Sequence, residues 1–234
     1  MSKPAPASVA RSYARKDMMR DELLGKAAEL FARRGFANTT ISDIARELGL
    51  SRSSLYHYFP SKDDVLRSLI QETTVAAYDM LARLRDEPSL TATERLKRAI
   101  LSSVERRLAG GSRMRVLERL EGDMPPEMLE QFNRVRRQIL QFYVDLVEEG
   151  IRSGEFRLVD TKIIAFAVLG MCNWTAWWYS PAGSRSAEQV ATAMADFALA
   201  ALARRGSAKL AAGSLGGAIR QLKEDIAVLE RLAR

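Results

Sequence analysis

The feature that most constrains this chain is the stretch 39–62, which has the pattern of two short helices around a glycine turn, followed directly by a third helix. Between Ile41 and Leu48 the apolar residues recur with the i, i+3, i+4, i+7 spacing of one helix face. Gly49 adopts a left-handed backbone at low cost and is placed to end the first helix. Ser51 is a good N-cap for the second. This order predicts a helix-turn-helix, whose second helix enters the major groove of DNA.

The side chains expected to face outward from this motif can all donate hydrogen bonds, and none is acidic. Such groups bind phosphate oxygens and base edges. Arg52, in the first turn of the second helix, is placed to read guanine, although an arginine at an exposed helix start is often only solvated. Thr40 is expected to cap the first helix, and the alternatives are that it also touches a phosphate or that capping is its whole role. The candidate DNA-binding residues are Thr40, Ser42, Arg52, Ser53, Ser54, Tyr56, His57 and Lys62.

An ordered set of residues in this region matches the pattern of a known family. The set comprises Ala28-Glu29-Leu30-Phe31 with Gly35-Phe36, Thr39-Thr40 with Ile44-Ala45, and Leu55-Tyr56-His57-Tyr58-Phe59 with Ser61-Lys62. With it, the segment from about Leu23 to Leu66 resembles the DNA-binding domain of TetR-family transcriptional regulators. The resemblance implies a ligand-responsive repressor that binds a palindromic operator as a homodimer. It also implies that Tyr56 and His57 contact the DNA backbone or thymine methyls, and that Lys62 anchors a phosphate. The alternative is a DNA-binding architectural protein, or a regulator without a small-molecule effector.

The remainder of the chain is expected to be helical. Helix-type periodicity marks candidate helices at about 91–109, 112–121, 126–152, 160–179 and 186–204, and no strand-type alternation is long enough to predict a sheet. The sequence therefore predicts an all-α fold. A disordered basic arm is expected at 1–17, followed by a three-helix helix-turn-helix DNA-binding domain at 18–64, whose first helix runs from Met18 to Arg34. A helical ligand-binding and dimerisation domain is expected at 65–205. A linker at 206–217 and an amphipathic helix at 218–234 complete the expected order.

Charge and composition narrow the function classes further. Residues 1–62 carry 11 Lys/Arg against 6 Asp/Glu, whereas the other residues carry 25 against 23, so the positive surplus lies on the predicted DNA-binding part. The single cysteine and the lack of a long apolar run suit a cytoplasmic protein without a membrane span. His57 is the one histidine, and no cluster has metal-ligand spacing. We therefore expect no metal, no cofactor and no enzymatic activity.

The second informative stretch holds all three tryptophans, within Trp174–Trp178. These rings either pack in the core and dimer interface or wall a ligand pocket. The string Asn-Trp-Thr-x-Trp-Trp-Tyr-x-Pro at 173–181 resembles a TetR subgroup that controls fatty-acid and steroid catabolism, in which several effectors are acyl-coenzyme A thioesters. The resemblance implies a small apolar effector of this kind. The candidate ligand-binding residues are Phe132, Phe142, Met171, Trp174, Trp177 and Trp178, with Arg113, Arg115, Arg119, Arg136 and Arg137 as candidate partners of a coenzyme A head group.

Two further surfaces are expected to join copies of the chain. The resemblance implies that the last two body helices pair with those of a second copy, and Ala195 and Leu199 are expected to face that copy. Toward the C-terminus, Leu215, Ile219, Leu222, Ile226 and Leu229 repeat at alternating four and three residues, a pattern that continues through the C-terminal helix. Ile at a and Leu at d positions suit a two-stranded coiled coil, and the alternative is a helix docked on its own body.

Overall fold

Helices build almost all of this protein. The computed structural model describes residues 7–109 and 113–204, together with Ile219, Leu222, Lys223, Ile226, Leu229 and Glu230, which are helical. Within these residues the regular structure is helical, apart from an isolated antiparallel bridge between Phe156 and Ala203. The all-α fold is therefore confirmed. The helices are α1 (Ala7–Arg34), α2 (Ile41–Glu47), α3 (Arg52–Tyr56), α4 (Lys62–Ile70), α5 (Ala76–Arg85), α6 (Ala92–Ala109), α7 (Arg113–Leu120), α8 (Pro126–Arg152), α9 (Thr161–Trp178) and α10 (Ala187–Leu202).

Helix α1 is longer than the sequence pattern indicates. It begins at Ala7, whereas the sequence placed its start at Met18 and assigned 1–17 to a disordered arm. Residues 7–17 are helical in the structure, and their alanines, arginines and lysine all favour a helix. The polar, basic composition of this stretch was therefore a poor guide to its backbone. Residues 1–6 and the predicted linker 206–217 lie outside the described residues.

The chain divides into two compact units. The first comprises the residues up to Tyr78 and the segment Gly110–Arg136, and the second comprises Asp79–Ala109 and the residues from Arg137 onward. Helix α8 therefore contributes its first part to one unit and its remainder to the other. A π-helical turn at Gln71–Val75 follows α4 without a break and leads into α5.

The core of the first unit holds the helix-turn-helix in place. Helix α1 packs against α2, α4 and α7, and α2 packs against α3. Phe31 of α1 and Phe36 meet edge to face with their ring centroids 5.1 Å apart. The fully buried side chains around them come from each neighbouring helix and include Leu24, Ile44, Leu55, Leu66 and Phe132. Because α2 and α3 use their apolar faces in this core, their polar faces remain at the surface.

The second unit is a helical body in which α6 packs against both α9 and α10. Its core contains the fully buried Tyr143 beside Phe142, whose ring it meets at 5.4 Å and at a right angle. Arg95 is buried but paired: its Nη1 lies 2.6 Å from a carboxylate oxygen of Glu149, and its Nη2 donates to the carbonyl of Leu90. A buried guanidinium is tolerated because it is neutralised and hydrogen-bonded.

Candidate nucleic-acid interface

The start of each short helix in the motif is fixed by local hydrogen bonds. Thr40 forms a capping box with Asp43, since its hydroxyl accepts from the Asp43 amide while the Asp43 carboxylate accepts from the Thr40 amide at 3.0 Å. Ser51 caps α3 by accepting from the Ser54 amide. Gly49 between the helices has φ of 64°, the left-handed conformation that glycine adopts without strain. These contacts fix the angle at which α3 leaves α2.

Helix α3 presents a row of donors to the surface. Arg52, Ser53, Tyr56 and His57 are exposed, and Ser54 is half-buried. The Arg52 guanidinium donates to the Tyr56 hydroxyl from Nη2 at 2.9 Å and lies over the Tyr56 ring. The structure thus places Arg52, Ser53, Ser54 and Tyr56 on one short helix, with His57 directly after it. Two other candidates lie at the start of α2, the helix that precedes α3: Thr40 is exposed and Ser42 is half-buried.

Lys62 has an internal role that the sequence did not reveal. Its ammonium group donates to the carbonyl oxygens of Phe36 at 2.8 Å and Ala37 at 3.2 Å, and it lies 4.6 Å from the centre of the Phe36 ring. An ammonium group carries three donors. Two of them hold the loop between α1 and α2, which leaves one for a phosphate.

Three arginines that the sequence reasoning missed pair with carboxylates of α2. Arg33 pairs with Glu47, and Arg34 and Arg46 both approach Asp43. The hydrogen bonds from Thr40, and then the two arginines, hold the pKa of Asp43 below its usual value. Asp43 is therefore charged at neutral pH, and its charge is offset locally. The signal available in the sequence was the Arg33-Arg34 pair directly before Gly35, at the end of α1.

A separate ionic network ties α7 to α1 in the same unit. Arg113 donates to the Asp21 carboxylate and to the Asp21 main-chain carbonyl, both at 2.6 Å, and lies 3.8 Å from Glu72. Arg20 pairs with Glu72 from the other side. The Arg113 hydrogen bond holds the pKa of Asp21 below its usual value. Arg113 was a candidate for a coenzyme A head group, and the structure commits it to this network instead.

The candidate ligand-binding residues do not form one group. Phe132 belongs to the core of the first unit, whereas Phe142 and the half-buried Met171 belong to the second. The rings of Trp174, Trp177 and Trp178 are 64%, 46% and 49% exposed in the single chain. Such exposure fits the packing alternative, in which a second copy covers these rings, better than an enclosed pocket within one chain. Arg136 pairs with Glu121.

Polar groups nevertheless lie inside the second unit, where α6, α8 and α9 meet. Ser103 and the Tyr143 hydroxyl are hydrogen-bonded at 3.0 Å, and Arg107 donates to the side-chain oxygen of Asn173. Burial raises the pKa of the neighbouring Cys172 thiol to about 12, and the Arg107 charge lowers it by a smaller amount. Arg107 lies one helical turn beyond Ser103 on α6. Sequence reasoning missed both residues, because nothing in their local pattern marks them.

The outward faces of α9 and α10 carry large apolar side chains. Trp174 and Trp177 stack with their ring centroids 6.1 Å apart. Ile163, Phe166 and Phe197 are more than half exposed. Ala195, which was expected to face a partner, is fully buried inside its own unit, so that prediction is wrong; the outward apolar side chain on α10 is Phe197.

The described residues carry neither a metal-ligand cluster nor a membrane span. No group of three or more His, Cys, Asp or Glu side chains there could hold a metal ion. In the same part of the chain, no helix is both long enough and apolar enough to cross a membrane.

Two known protein families match the chain, one in its N-terminal part and one in its C-terminal part. The family described as "Bacterial regulatory proteins, tetR family" matches residues 23–69. The family described as "Tetracyclin repressor-like, C-terminal domain" matches residues 89–202. The first match covers the helix-turn-helix, and the second covers α6 to α10.

Individual relatives agree with these matches. The HTH-type transcriptional repressor KstR2 of Mycolicibacterium smegmatis is 31% identical over 179 residues, which cover 73% of this chain and 84% of the relative. The solved structure of the ketosteroid transcriptional regulator KstR2 of Mycobacterium tuberculosis is 26% identical with a TM-score of 0.66, covering 80% of this chain and 96% of the other. The TetR family transcriptional regulator PfmR of Thermus thermophilus is 29% identical with a TM-score of 0.64, covering 78% and 99%.

Proposed function

The chain belongs to the TetR family of transcriptional regulators, and we propose that it is a ligand-responsive repressor in the cytoplasm. It binds a palindromic operator as a homodimer and leaves it when a small apolar effector binds. The observation that carries the proposal is the surface of α2 and α3, where exposed donors stand on helices fixed by capping bonds. A two-fold dimer presents two such surfaces, so the operator is a pseudo-palindrome.

We assign the DNA contacts by the geometry of each side chain. Arg52, at the start of α3, reads a base edge after exchanging its bond to Tyr56 for one to the DNA. Tyr56, His57 and the remaining donor of Lys62 bind the phosphate backbone, which positions the protein without reading sequence. Selection of binding sites from random DNA tests this assignment. Wild type selects a palindrome, and Arg52→Ala selects a palindrome with altered base preference; unchanged preference would contradict a reading role for Arg52.

The exposed face of α9 and α10 forms the dimer interface in this proposal. Trp174, Trp177 and Phe197 expose large apolar rings in the single chain, and burial of such rings drives association. Trp177→Glu therefore gives a monomer at micromolar concentration by analytical ultracentrifugation, and operator binding falls with it. Thr192→Glu is the control, since it adds the same charge at an exposed polar position of α10. A wild-type monomer, or a dimeric Trp177→Glu variant, would contradict this interface.

We propose an acyl-coenzyme A thioester as the effector class, bound in the second unit. Two observations support a site near α6, α8 and α9: an apolar core, and the partly buried polar pairs Ser103–Tyr143 and Arg107–Asn173 beside it. Ligand sites commonly combine an apolar lining with a few such polar groups. Each buried methylene of an acyl chain contributes about 0.8 kcal/mol. To release the operator, the effector needs to prefer the DNA-incompetent state by only about 1–3 kcal/mol.

The test measures release of the selected operator by three probes: long-chain acyl-coenzyme A, the matching free acid, and coenzyme A alone. The thioester is expected to release the DNA at the lowest concentration. Arg107→Met should raise the concentration needed, whereas Arg98→Met, which removes an exposed charge from the same helix, should not. Release by free acid at equal concentration would contradict the thioester class. No response to any probe would favour the alternative, a DNA-binding protein without a small-molecule effector.

A further inference from the structure

The C-terminal helix carries an apolar stripe that its own chain leaves open. Ile219, Leu222, Ile226 and Leu229 are 45%, 62%, 46% and 65% exposed. Their alternating spacing of three and four residues places all four on one side of a helix. Of the two alternatives for this helix, docking on its own body would have covered these side chains. The exposure favours a partner outside the chain.

This helix also lies beyond the part of the chain that the family explains. The matched C-terminal family domain ends at residue 202, the last residue of α10. The stripe begins at Ile219, after a stretch rich in Gly, Ala and Ser. Its role must therefore be inferred from its own residues.

From the stripe and its exposure we infer that the C-terminal helices of two copies of this chain pair as a parallel, two-stranded coiled coil. Ile219 and Ile226 occupy a positions, and Leu222 and Leu229 occupy d positions. In parallel coiled coils, Ile at a with Leu at d favours two strands over higher assemblies. Lys223 and Glu230, which flank the stripe, are exposed, so the edges of the pair remain in water.

A helix this short forms a weak coiled coil by itself, since sustained pairing normally takes three or more heptads. Because each C-terminal helix is attached to a subunit of the dimer, the two helices need not meet from free solution in order to pair. The chain from Leu202 to Ile219 spans at most about 60 Å when fully extended. The two C-terminal helices of one dimer are therefore held at an effective concentration on the order of a millimolar. This step rests on the homodimer of the proposed function.

The coiled coil is thus a second dimer contact, which keeps the two subunits associated at low protein concentration. The deletion of residues 206–234 should leave a dimer at micromolar concentration, because the face of α9 and α10 remains. Its dissociation constant should rise at least tenfold. Leu222→Lys should have the same effect, whereas Gln221→Lys, which adds the same charge next to the stripe, should not. Equal dissociation constants for these two variants would overturn the proposal while leaving the main dimer interface untouched.

Cross-linking of the full-length protein tests the parallel pairing directly. Leu222→Cys places thiols at a d position, where two parallel helices bring the same residue together. The native Cys172 gives little background, because it is buried and its pKa is raised to about 12. Mild oxidation should link Leu222→Cys dimers, and Gln221→Cys dimers far less. Failure of Leu222→Cys to cross-link, or a wild-type tetramer in sedimentation, would overturn the paired arrangement within one dimer.

Discussion

Replacement of Lys62 by methionine separates two roles that one side chain holds at once. The substitution keeps most of the apolar stem and removes the ammonium group. In the structure that group donates to the carbonyls of Phe36 and Ala37, so the loop between α1 and α2 loses both contacts. If the third donor binds a phosphate, the protein also loses one DNA contact per subunit.

The two losses have different magnitudes and different signatures. A hydrogen bond from a charged donor contributes about 1.5–3 kcal/mol, and water replaces part of it at this half-buried site. The cation–π contact with the Phe36 ring adds about 0.5–1 kcal/mol. Lys62→Met should therefore lower the free energy of unfolding by about 1–3 kcal/mol. That corresponds to a fall in Tm of about 2–4 °C per kcal/mol in a protein of this size.

The phosphate contact is measured by the salt dependence of operator binding. Each phosphate neutralised contributes about −0.9 to the slope of log K against log salt, so a dimer that loses two contacts has a slope shallower by about 1.8. Between 50 and 200 mM salt, wild type should lose about tenfold more affinity than Lys62→Met. Fluorescence anisotropy across this range measures the slope. Lys162→Met is the matched control, because it removes an exposed charge from the second unit.

The melting temperature and the salt slope together distinguish the two roles of Lys62. A lower melting temperature with an unchanged salt slope would refute the phosphate contact of Lys62 and leave only its stabilisation of the loop between α1 and α2. A shallower salt slope with an unchanged melting temperature would refute that stabilisation.

Two further substitutions, one in each unit, test contributions to the free energy of unfolding. A Cβ on Gly150 would overlap the ring of the buried Phe156, so Gly150→Ala should lower the free energy of unfolding by about 1–3 kcal/mol in thermal or urea unfolding. Gly122→Ala is the control and should be close to neutral, because a Cβ on Gly122 meets nothing within 4 Å. An intact Gly150→Ala variant with wild-type stability would contradict this packing. Asp21→Asn removes a carboxylate whose pKa Arg113 lowers, so its stabilisation is present above the unfolded pKa of about 3.9 and disappears as the pH falls below that value. The wild type should exceed the variant in stability at pH 7 by less than about 1 kcal/mol, and the difference should vanish in acid; a difference that grows in acid would refute the assignment.

The helix-turn-helix was predictable because its determinants are local. Thr40 and Asp43 form their capping box within four residues, and Gly49 turns the chain where only glycine does so without strain. The contacts that sequence reasoning missed are long-range. Lys62 reaches carbonyls 25 and 26 residues earlier in the chain, and Arg113 meets Asp21 across 92 residues. No local pattern records which distant group a long basic side chain reaches.

The last two body helices show a different limit of sequence reasoning. Both are apolar on more than one face, so periodicity alone does not separate the side that packs inward from the side left open. From the sequence, the tryptophans of α9 either pack in the core and dimer interface or wall a ligand pocket, and Ala195 of α10 faces a second copy. On α10 the structure differs from that expectation: alanines pack against α6, where helices approach closely, and Phe197 points outward. On α10 the small residues therefore mark close packing within the chain, and the large exposed ring marks the face that we propose as the dimer interface.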